Sequence, residues 1–318
     1  MNCRVVVIDS GTNEYFKKKV KKLYSFYDDE YLDKNGHGTK CISLINNLAP
    51  EVEIYVFKLL DEKLKCTSDD LYRTLLKLLD MEMDIINLSL STANISQFDK
   101  IDNICHQLVG QGKILIASKS NNGEISYPAE SKYVIGVGGN QFTKNEEFWF
   151  NINNPIQCIA SRTPCIVDLG NLEYTFYSGN SKAAACLTGI LARNFDALRN
   201  LNFKERMEYI SSLATSNIWT QNDITTDLIW CERFTDTDPE ILGYLNALFK
   251  NYNLNSNKLL YECVGINEIL CAVKSIIQDY YLDLSKGELN LYDFMSLQSL
   301  SMKIKCISKK SREGDSNY

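Results

Sequence analysis

The sequence is poor in residues that several classes of protein require. It has two histidines among 318 residues, and its eleven cysteines form no CxxC pair. Zinc sites typically need clustered cysteine and histidine ligands, and this sequence has no such cluster. We therefore predict no metal. An odd number of scattered cysteines is typical of reduced thiols in a cytosol and not of a disulfide framework.

Excess positive charge and long apolar runs are also missing. The formal net charge is −6, whereas nucleic-acid binding needs a basic surface, so we expect no nucleic-acid partner. No stretch approaches the roughly 20 apolar residues of a membrane span. The N-terminus has no basic start followed by an apolar segment. We therefore predict no secretory signal, no membrane association and a cytoplasmic location.

Short β-branched runs alternate with amphipathic stretches over the first two hundred residues. The apolar runs lie at 5–8, 52–59, 85–90, 114–117 and 134–137, and the helical patterns include 68–79 and 95–109. Strands that are apolar on both faces and are separated by helices indicate a parallel sheet. We predict an α/β fold in which ligands bind beyond the carboxyl ends of the strands.

After residue 203 only helical patterns remain. They lie at 203–213, 239–252, 267–281 and 295–306. We predict a sheet-containing domain over 1–200, a helix and linker over 201–238, a small all-helical C-terminal domain over 239–308, and a flexible, charged tail over 309–318.

Three residues with complementary chemistry stand at predicted strand ends or helix starts. Asp9 follows the run VVVI, His37 lies between two glycines in NGHGTK, and Ser181 lies in GNSKAAACLTG. A serine hydroxyl becomes a nucleophile when a base removes its proton and a third group holds that base. A carboxylate, an imidazole and a hydroxyl supply these three roles.

Each of these residues also has a structural interpretation. Asp9 could cap the turn after its strand, and Ser181 could be a small residue where two helices pack closely. His106 lies in the amphipathic run NICHQLV, where we predict a structural role, which leaves His37 for proton transfer. Asn121 follows the strand ILIAS and could donate to an oxyanion or be an ordinary turn asparagine.

Classes of serine hydrolase differ in the order of these three residues along the chain, and the order here is Asp, His, Ser. The α/β-hydrolases run Ser, Asp, His and need a G-x-S-x-G turn, whereas Ala183 stands two residues after Ser181. The chymotrypsin type runs His, Asp, Ser on β-barrels. The order found here, on a predicted parallel α/β sheet, resembles that of the subtilisin-like serine proteases.

Six blocks carry the resemblance, in order, over residues of about 3 to 197. They are VVVIDSG, NGHGTKCISLI, IINLSLS, LIASKSNNG, YPAESKYVIGVGG and GNSKAAACLTG. The resemblance implies a subtilisin-like sheet and Asp9, His37 and Ser181 as the catalytic residues. It implies Asn121 and the Ser181 amide as the oxyanion hole. It also implies that Ser89, Leu90 and Ser91 bind substrate, with peptide hydrolysis through an acyl-enzyme.

Some positions depart from the family pattern without removing a catalytic group. The residues that replace the usual Thr, Met, Pro, His, Gly and Gly are Asn180, Lys182, Ala185, Cys186, Ser91 and Ser120. Lys182, next to the serine, is expected to affect rate and substrate preference and not the mechanism. The calcium loops of the family have no counterpart, so we again predict no metal.

The resemblance also suggests a biological role. Eight residues precede Asp9, so we expect no prodomain and an enzyme that is active on synthesis. We predict an intracellular serine endopeptidase of narrow specificity, such as one that removes leader peptides from ribosomally made precursors. Two alternatives are a catalytically silent subtilase-fold binding protein and a protease joined to a carrier or docking module.

The segment 265–306 resembles half of an acyl or peptidyl carrier domain. Ser299, in LQSLSM, stands where that family attaches phosphopantetheine, with Gln298 in place of the usual aspartate. The resemblance implies phosphopantetheine on Ser299 as a candidate cofactor. The alternative is a set of ordinary amphipathic helices of a docking or cap domain, and a protein partner that contacts these helices is one candidate partner. The other partner that we expect is a peptide or precursor-protein substrate.

Overall fold

The apolar runs early in the chain form the strands of one mostly parallel sheet in the computed structural model. The structure describes residues 2–26, 31–92, 97–121, 126–225, 237–254, 259–284 and 288–314, with side chains up to 308. The strands are β1 (Arg4–Asp9), β2 (Lys22–Ser25), β3 (Glu53–Lys58), β4 (Ile85–Leu88), β5 (Ile114–Ser118), β6 (Ile135–Asn140), β7 (Phe148–Phe150) and β8 (Cys158–Ser161). Their order is β2-β3-β1-β4-β5-β6-β8-β7, and β7 runs antiparallel to β8.

Helices connect and flank these strands. They are α1 (Glu14–Lys17), α2 (His37–Leu48), α3 (Ser68–Lys77), α4 (Phe98–Gly110), α5 (Asn180–Arg193), α6 (Phe195–Leu198) and α7 (Phe203–Leu213), with 3₁₀ turns at Leu78–Asp80 and Gln221–Asp223. The chain divides into two compact units, here called the first unit (1–162 and 178–226) and the second unit (163–177 and 227–318). The sheet and these helices belong to the first unit.

Both faces of the sheet are buried, which explains the unbroken apolar runs. Successive β1 side chains point to opposite faces, and those of 5–8 are all fully buried. Val6 and Ile8 share one hydrophobic core with residues of α3 and α4. Helices α2 and α5 pack against each other, and α5 also packs against β4, β5, β6 and β8. The predicted α/β class, with a parallel sheet flanked by helices, is confirmed.

The second unit combines a hairpin with helices. Its elements are β9 (Cys165–Gly170), β10 (Glu173–Tyr177), α8 (Pro239–Leu248), α9 (Leu260–Val264), α10 (Ile266–Asp279), a 3₁₀ turn (Leu291–Phe294) and α11 (Leu297–Gly314). Strands β9 and β10 pair antiparallel. Ile166 of β9 shares a core with Leu245 of α8 and Val273 of α10. The hairpin, which the sequence analysis assigned to the first domain, therefore groups with the C-terminal helices.

Several element ends differ from those predicted. Strand β4 ends at Leu88 and not at residue 90, because its pairing with β1 and β5 stops there. Helix α4 begins at Phe98, and residues 95 and 96 of its predicted span lie outside the described residues. Helix α8 ends at Leu248. Helix α11 continues to Gly314, into the segment predicted to be a tail, and residues 315–318 lie outside the described part.

The topology brings several polar residues to one edge of the sheet. Asp9 is the last residue of β1, and Ser118 is the last residue of β5. Parallel strands end at a common edge, where helices such as α2 begin. No helix within the described ranges is long and apolar enough to cross a bilayer.

Candidate active site

Asp9 is fully buried at the carboxyl end of β1. Its Oδ1 atom accepts hydrogen bonds from the Ser10 backbone N–H at 2.7 Å and lies 2.8 Å from His37 Nδ1. Its Oδ2 atom accepts from the Cys41 thiol at 3.4 Å. A buried carboxylate requires such partners, because an unpaired charge away from water is costly. Asp9 is therefore fixed in position and orientation.

His37 is the first residue of α2, and its side chain is 18% exposed. Burial lowers the pKa of the imidazole, but the charge and hydrogen bond of Asp9, together with the charge of Asp33, outweigh burial and raise the pKa overall. When Nδ1 donates its proton to Asp9, Nε2 is the basic nitrogen. The ring is therefore set up to accept a proton on the side away from Asp9.

A close backbone approach allows the aspartate and the histidine to meet. A Cβ atom on Gly38 would lie 2.4 Å from the Gly11 carbonyl oxygen and 3.2 Å from Asp9 Cβ. Any larger residue at position 38 would thus push the start of α2 away from the end of β1. The glycine after His37 is required by packing at this point.

Ser181 lies in the first turn of α5, after Gly179. Gly179 has a φ of 94°, a backbone conformation that favours glycine. Backbone N–H groups at the start of a helix are free to bind negative charge. Ser181 and His37 line the same cleft, which has a volume of about 540 Å³.

The other sequence-predicted site residues lie around the same cleft. Asn121 is exposed there, and its Oδ1 lies 3.9 Å from the position that a Cβ on Gly179 would take. Ser89, Leu90 and Ser91 also line the cleft, just beyond the end of β4. The Ser89 hydroxyl points inward, accepting from Asn87 Nδ2 at 3.0 Å. The fold thus brings together all the residues that the family resemblance singled out.

Two of the residues of α5 that depart from the family pattern, Lys182 and Cys186, contact the end of β8. Lys182 is fully buried, and its ammonium group donates to Asn145 Oδ1 at 2.6 Å, to Ser161 Oγ at 3.0 Å and to the Ser161 carbonyl at 3.1 Å. The Cys186 thiol lies 3.8 Å from the same carbonyl. Lys182, the residue after Ser181, therefore connects the first turn of α5 to the end of β8.

Asp9, His37 and Cys41 form a group of potential metal ligands. Their donor atoms lie within 4.8 Å of one another. These atoms are engaged with each other, and the Cys41 sulfur also lies 3.4 Å from Ser89 Oγ. The donor set is therefore better explained as a hydrogen-bonded unit than as a cation site, and the absence of a metal stays a prediction.

Two further predicted residues lie elsewhere. His106 is exposed on α4 and stacks on Tyr133 at a ring distance of 4.6 Å, in line with a structural role. Ser299 is half-buried in the first turn of α11, where its hydroxyl and its N–H both lie 3.0 Å from Ser296 Oγ. Phosphopantetheine on Ser299 stays a prediction.

Two residues that shape the site were not predicted from the sequence. Asp33 accepts from the Gly36 N–H at 2.7 Å and from the Thr39 N–H at 2.8 Å, so it fixes the backbone on both sides of His37. Lys119 lines the cleft beside Asn121. A carboxylate four residues before the histidine, among Asn and Gly, was the available signal for Asp33.

The fold and the cleft define a class of protein, the α/β proteins that gather an aspartate, a histidine and a serine at the carboxyl edge of a parallel sheet. The chain belongs to the Subtilase family, which it matches over residues 3–226. Its structure is similar to that of a cold adapted subtilisin-like serine proteinase, with a TM-score of 0.58 and 19% identity, over 71% of this chain and 86% of that one. The predicted family and fold are confirmed.

The proteins that are similar in sequence include an extracellular and an intracellular protease. The chain is 29% identical over 227 residues to the minor extracellular protease Epr of Bacillus subtilis (strain 168), over 65% of this chain and 34% of that protein. It is 23% identical over 214 residues to an intracellular serine protease of Paenibacillus polymyxa, over 59% of this chain and 65% of that protein. The match thus spans about a third of the length of the Bacillus protease.

Proposed function

We propose that the protein is a serine endopeptidase in which Ser181 attacks the peptide carbonyl. The main support is the 2.8 Å contact between His37 Nδ1 and Asp9 Oδ1, beside a cleft that Ser181 also lines. A buried carboxylate that orients an imidazole next to a serine is the arrangement that acyl transfer requires. Membership of the Subtilase family supports the same reaction.

In the proposed mechanism, His37 Nε2 takes the Ser181 proton as the hydroxyl attacks. Asp9 holds the imidazole in the required tautomer and stabilises the imidazolium that forms. The amide of Asn121 and the N–H of Ser181 receive the oxyanion, and one such donor contributes about 2.7–4 kcal/mol to lowering the barrier. His37 then protonates the leaving amine, and water hydrolyses the acyl-enzyme.

The backbone of 89–91 is proposed to bind the substrate. These residues follow β4 directly in the chain, beyond its last pairing, and they line the cleft. An extended peptide can add to such an open edge through main-chain hydrogen bonds. This arrangement would place a peptide carbonyl alongside Ser181.

Labelling with a fluorophosphonate probe tests the proposal. The probe should modify the native protein at Ser181, and Ser181→Ala should abolish labelling because the nucleophile is gone. Ser178→Ala is the matched control, since it removes another hydroxyl from the same cleft and should leave labelling intact. Peptide mass mapping identifies the modified residue.

The alternative is a catalytically silent binding protein with the same fold. A folded native protein that the probe leaves unmodified would favour this alternative and contradict the proposed reaction. Labelling that persists in Ser181→Ala would instead show that another residue is the nucleophile.

We also propose an intracellular site of action and a narrow substrate range, such as leader-peptide removal from a ribosomal precursor. A relative named as an intracellular serine protease supports the location, whereas Epr is named as extracellular. Broad digestion of casein, compared with candidate precursor peptides, would contradict the narrow range. Docking of a protein partner by the C-terminal helices stays a prediction.

A further inference from the structure

The cleft has an unusual charge composition for an acidic protein. The chain contains 40 acidic and 34 basic residues. The charged side chains among the described residues that line the cleft are nevertheless two lysines, Lys65 and Lys119, without an aspartate or glutamate. A cleft of one sign focuses the electric field and attracts ligands of the other sign. The cleft therefore favours negatively charged groups.

Lys119 lies on a wall of the cleft, and hydrogen bonds fix its backbone on both sides. Its backbone N–H donates to the Val137 carbonyl at 2.8 Å, and its carbonyl accepts from Asn180 Nδ2 at 3.1 Å. Its side chain is half-buried, and no ion pair joins its ammonium to a carboxylate in the described part of the chain. Glu130, which lines the neighbouring cavity with Lys119, instead accepts the Ser126 N–H at 2.9 Å.

Lys65 stands on a different segment of the cleft and is exposed. Its ammonium also has no ion pair within the described ranges, but two carboxylates lie near its backbone. Asp61 accepts the Lys65 N–H at 2.8 Å, and Asp70 accepts from Thr67 at the start of α3. These carboxylates weaken the positive field on this side, as Glu130 does near Lys119. Lys119 is half-buried whereas Lys65 is exposed, and solvent and salt screen a partly buried charge less, so Lys119 carries the larger effect.

We propose that the cleft selects peptides that carry acidic side chains near the bond to be cleaved, with Lys119 as the main specificity-determining residue and Lys65 as the second. This inference rests on the proposed endopeptidase function. A lysine supplies a flexible point charge that suits a single carboxylate or phosphate without demanding one geometry. The selected feature is therefore negative charge and not a particular side chain.

Fluorogenic peptides that differ only in Glu, Gln or Lys around the cleavage site test the inference. We expect kcat/KM to fall in the order Glu, Gln, Lys, with about a 3- to 10-fold difference between Glu and Lys peptides, because two partly exposed charges act together. Raising the salt from about 0.05 to about 0.5 M should reduce the difference, since salt screens such charges.

Charge reversal assigns the effect to the two lysines. Lys119→Glu should remove or invert the preference, and Lys65→Glu should do so to a smaller extent. Lys100→Glu makes the same charge change at an exposed position of α4 outside the cleft and should leave the preference intact. Equal kcat/KM for Glu and Lys peptides, or a preference that survives Lys119→Glu, would overturn the inference.

Binding measurements keep this test independent of catalysis. The same peptides, labelled with a fluorophore, are titrated against Ser181→Ala, and fluorescence anisotropy reports their affinity. Tighter binding of Glu than of Lys peptides supports the charge selection even if fluorophosphonate labelling has failed. Equal affinities together with normal labelling would overturn the charge selection alone.

Discussion

At the scale of single residues, a second carboxylate supports the contact between Asp9 and His37. Asp33 Oδ1 accepts from the Ser10 hydroxyl at 2.9 Å, and that hydroxyl oxygen accepts the Gly38 N–H at 3.0 Å. The other oxygen, Oδ2, accepts from both the N–H and the hydroxyl of Thr39. Asp33 thus connects the end of β1 to the start of α2, and its charge acts on His37.

Replacing Asp33 by asparagine should change both the rate and its pH dependence. The amide places an N–H₂ group where one oxygen now accepts hydrogen bonds, so the start of α2 should shift and fluorophosphonate labelling should slow by about 10- to 100-fold. Unprotonated His37 is the active base, and the Asp33 charge raises the pKa of His37. Removing the Asp33 charge lowers the pKa of His37. The acid limb of the plot of labelling rate against pH should therefore move to lower pH.

Asp223→Asn is the matched control for this change. Asp223 is exposed and accepts from the N–H and hydroxyl of Thr220, as Asp33 does from Thr39, but it is not among the charges that act on His37. The control should keep the acid limb in place. If the acid limb does not move in Asp33→Asn either, the result contradicts an electrostatic effect of Asp33 on His37 and leaves Asp33 a purely structural role.

The sequence signals were stronger for the residues that meet at the cleft than for the residues that support them. Asp9, His37 and Ser181 stand next to strand ends or glycines, and these are local signals. The hydrogen bonds of Asp33 to Ser10 and of Lys182 to Ser161 join segments that are distant in the chain. A single sequence does not show which distant residues pair, so the contacts of Asp33 were missed even though its position four residues before His37 was a local signal.

At the scale of elements, helix α5 is attached near both ends to the loop between β6 and β7. Lys182 donates to Asn145 at the start of the helix, and Arg193 pairs with Glu146 at 2.5 Å at its end. The first attachment is buried and the second is exposed. The buried one should therefore contribute more to holding the first turn of α5, which carries Ser181.

Replacing Lys182 by methionine should destabilise the first unit. Methionine fills similar space but donates no hydrogen bond, so Asn145 Oδ1 and the two Ser161 oxygens lose the bonds that Lys182 supplies in a buried site. Each unsatisfied buried polar group costs about 1–3 kcal/mol, so the free energy of unfolding should fall by at least about 1 kcal/mol. Urea denaturation of the full chain measures this change.

An exposed lysine provides the comparison for this measurement. Lys204 lies on α7 with a side chain that is 84% exposed, and Lys204→Met should change the free energy of unfolding by no more than about 0.5 kcal/mol. Equal or higher stability of Lys182→Met would mean that the cost of burying the ammonium outweighs its three hydrogen bonds.

The elements themselves were predicted to different degrees. The predicted runs at 5–8 and 114–117 correspond to β1 and β5, because a central parallel strand is buried on both faces and shows in the sequence as an apolar run. The strands β2, β7 and β8 were not predicted. Strand β2 is at the sheet edge and only half-buried, so its sequence, KLYS, lacks an apolar run. Strand β7 has three residues, too few to show a period.

At the scale of the whole molecule, the described residues form separate hydrophobic cores. The core of the sheet and of α3 and α4 contains Leu115, whereas the core of α8, α10 and α11 contains Leu245. The match to the Subtilase family ends at residue 226, before α8 begins. The sequence predicted the C-terminal helices but not their partner hairpin, because β10 ends at Tyr177 and α8 begins at Pro239. A short window of sequence does not join segments so far apart.

A substitution that creates a cavity in one hydrophobic core should destabilise the unit that contains this core and leave the other unit unchanged. Leu245 is fully buried, and Leu245→Ala should lower the stability of the second unit by about 2–5 kcal/mol. Hydrogen exchange should then become faster in α8, α10 and α11, while β1, β4 and β5 keep their protection, since exchange reports the local free energy of opening. Leu115→Ala, at a position that is 1% exposed in the other core, should produce the reverse pattern. If either substitution accelerates exchange equally in both units, the two cores unfold as one cooperative structure, and the division into separately stabilised units is wrong.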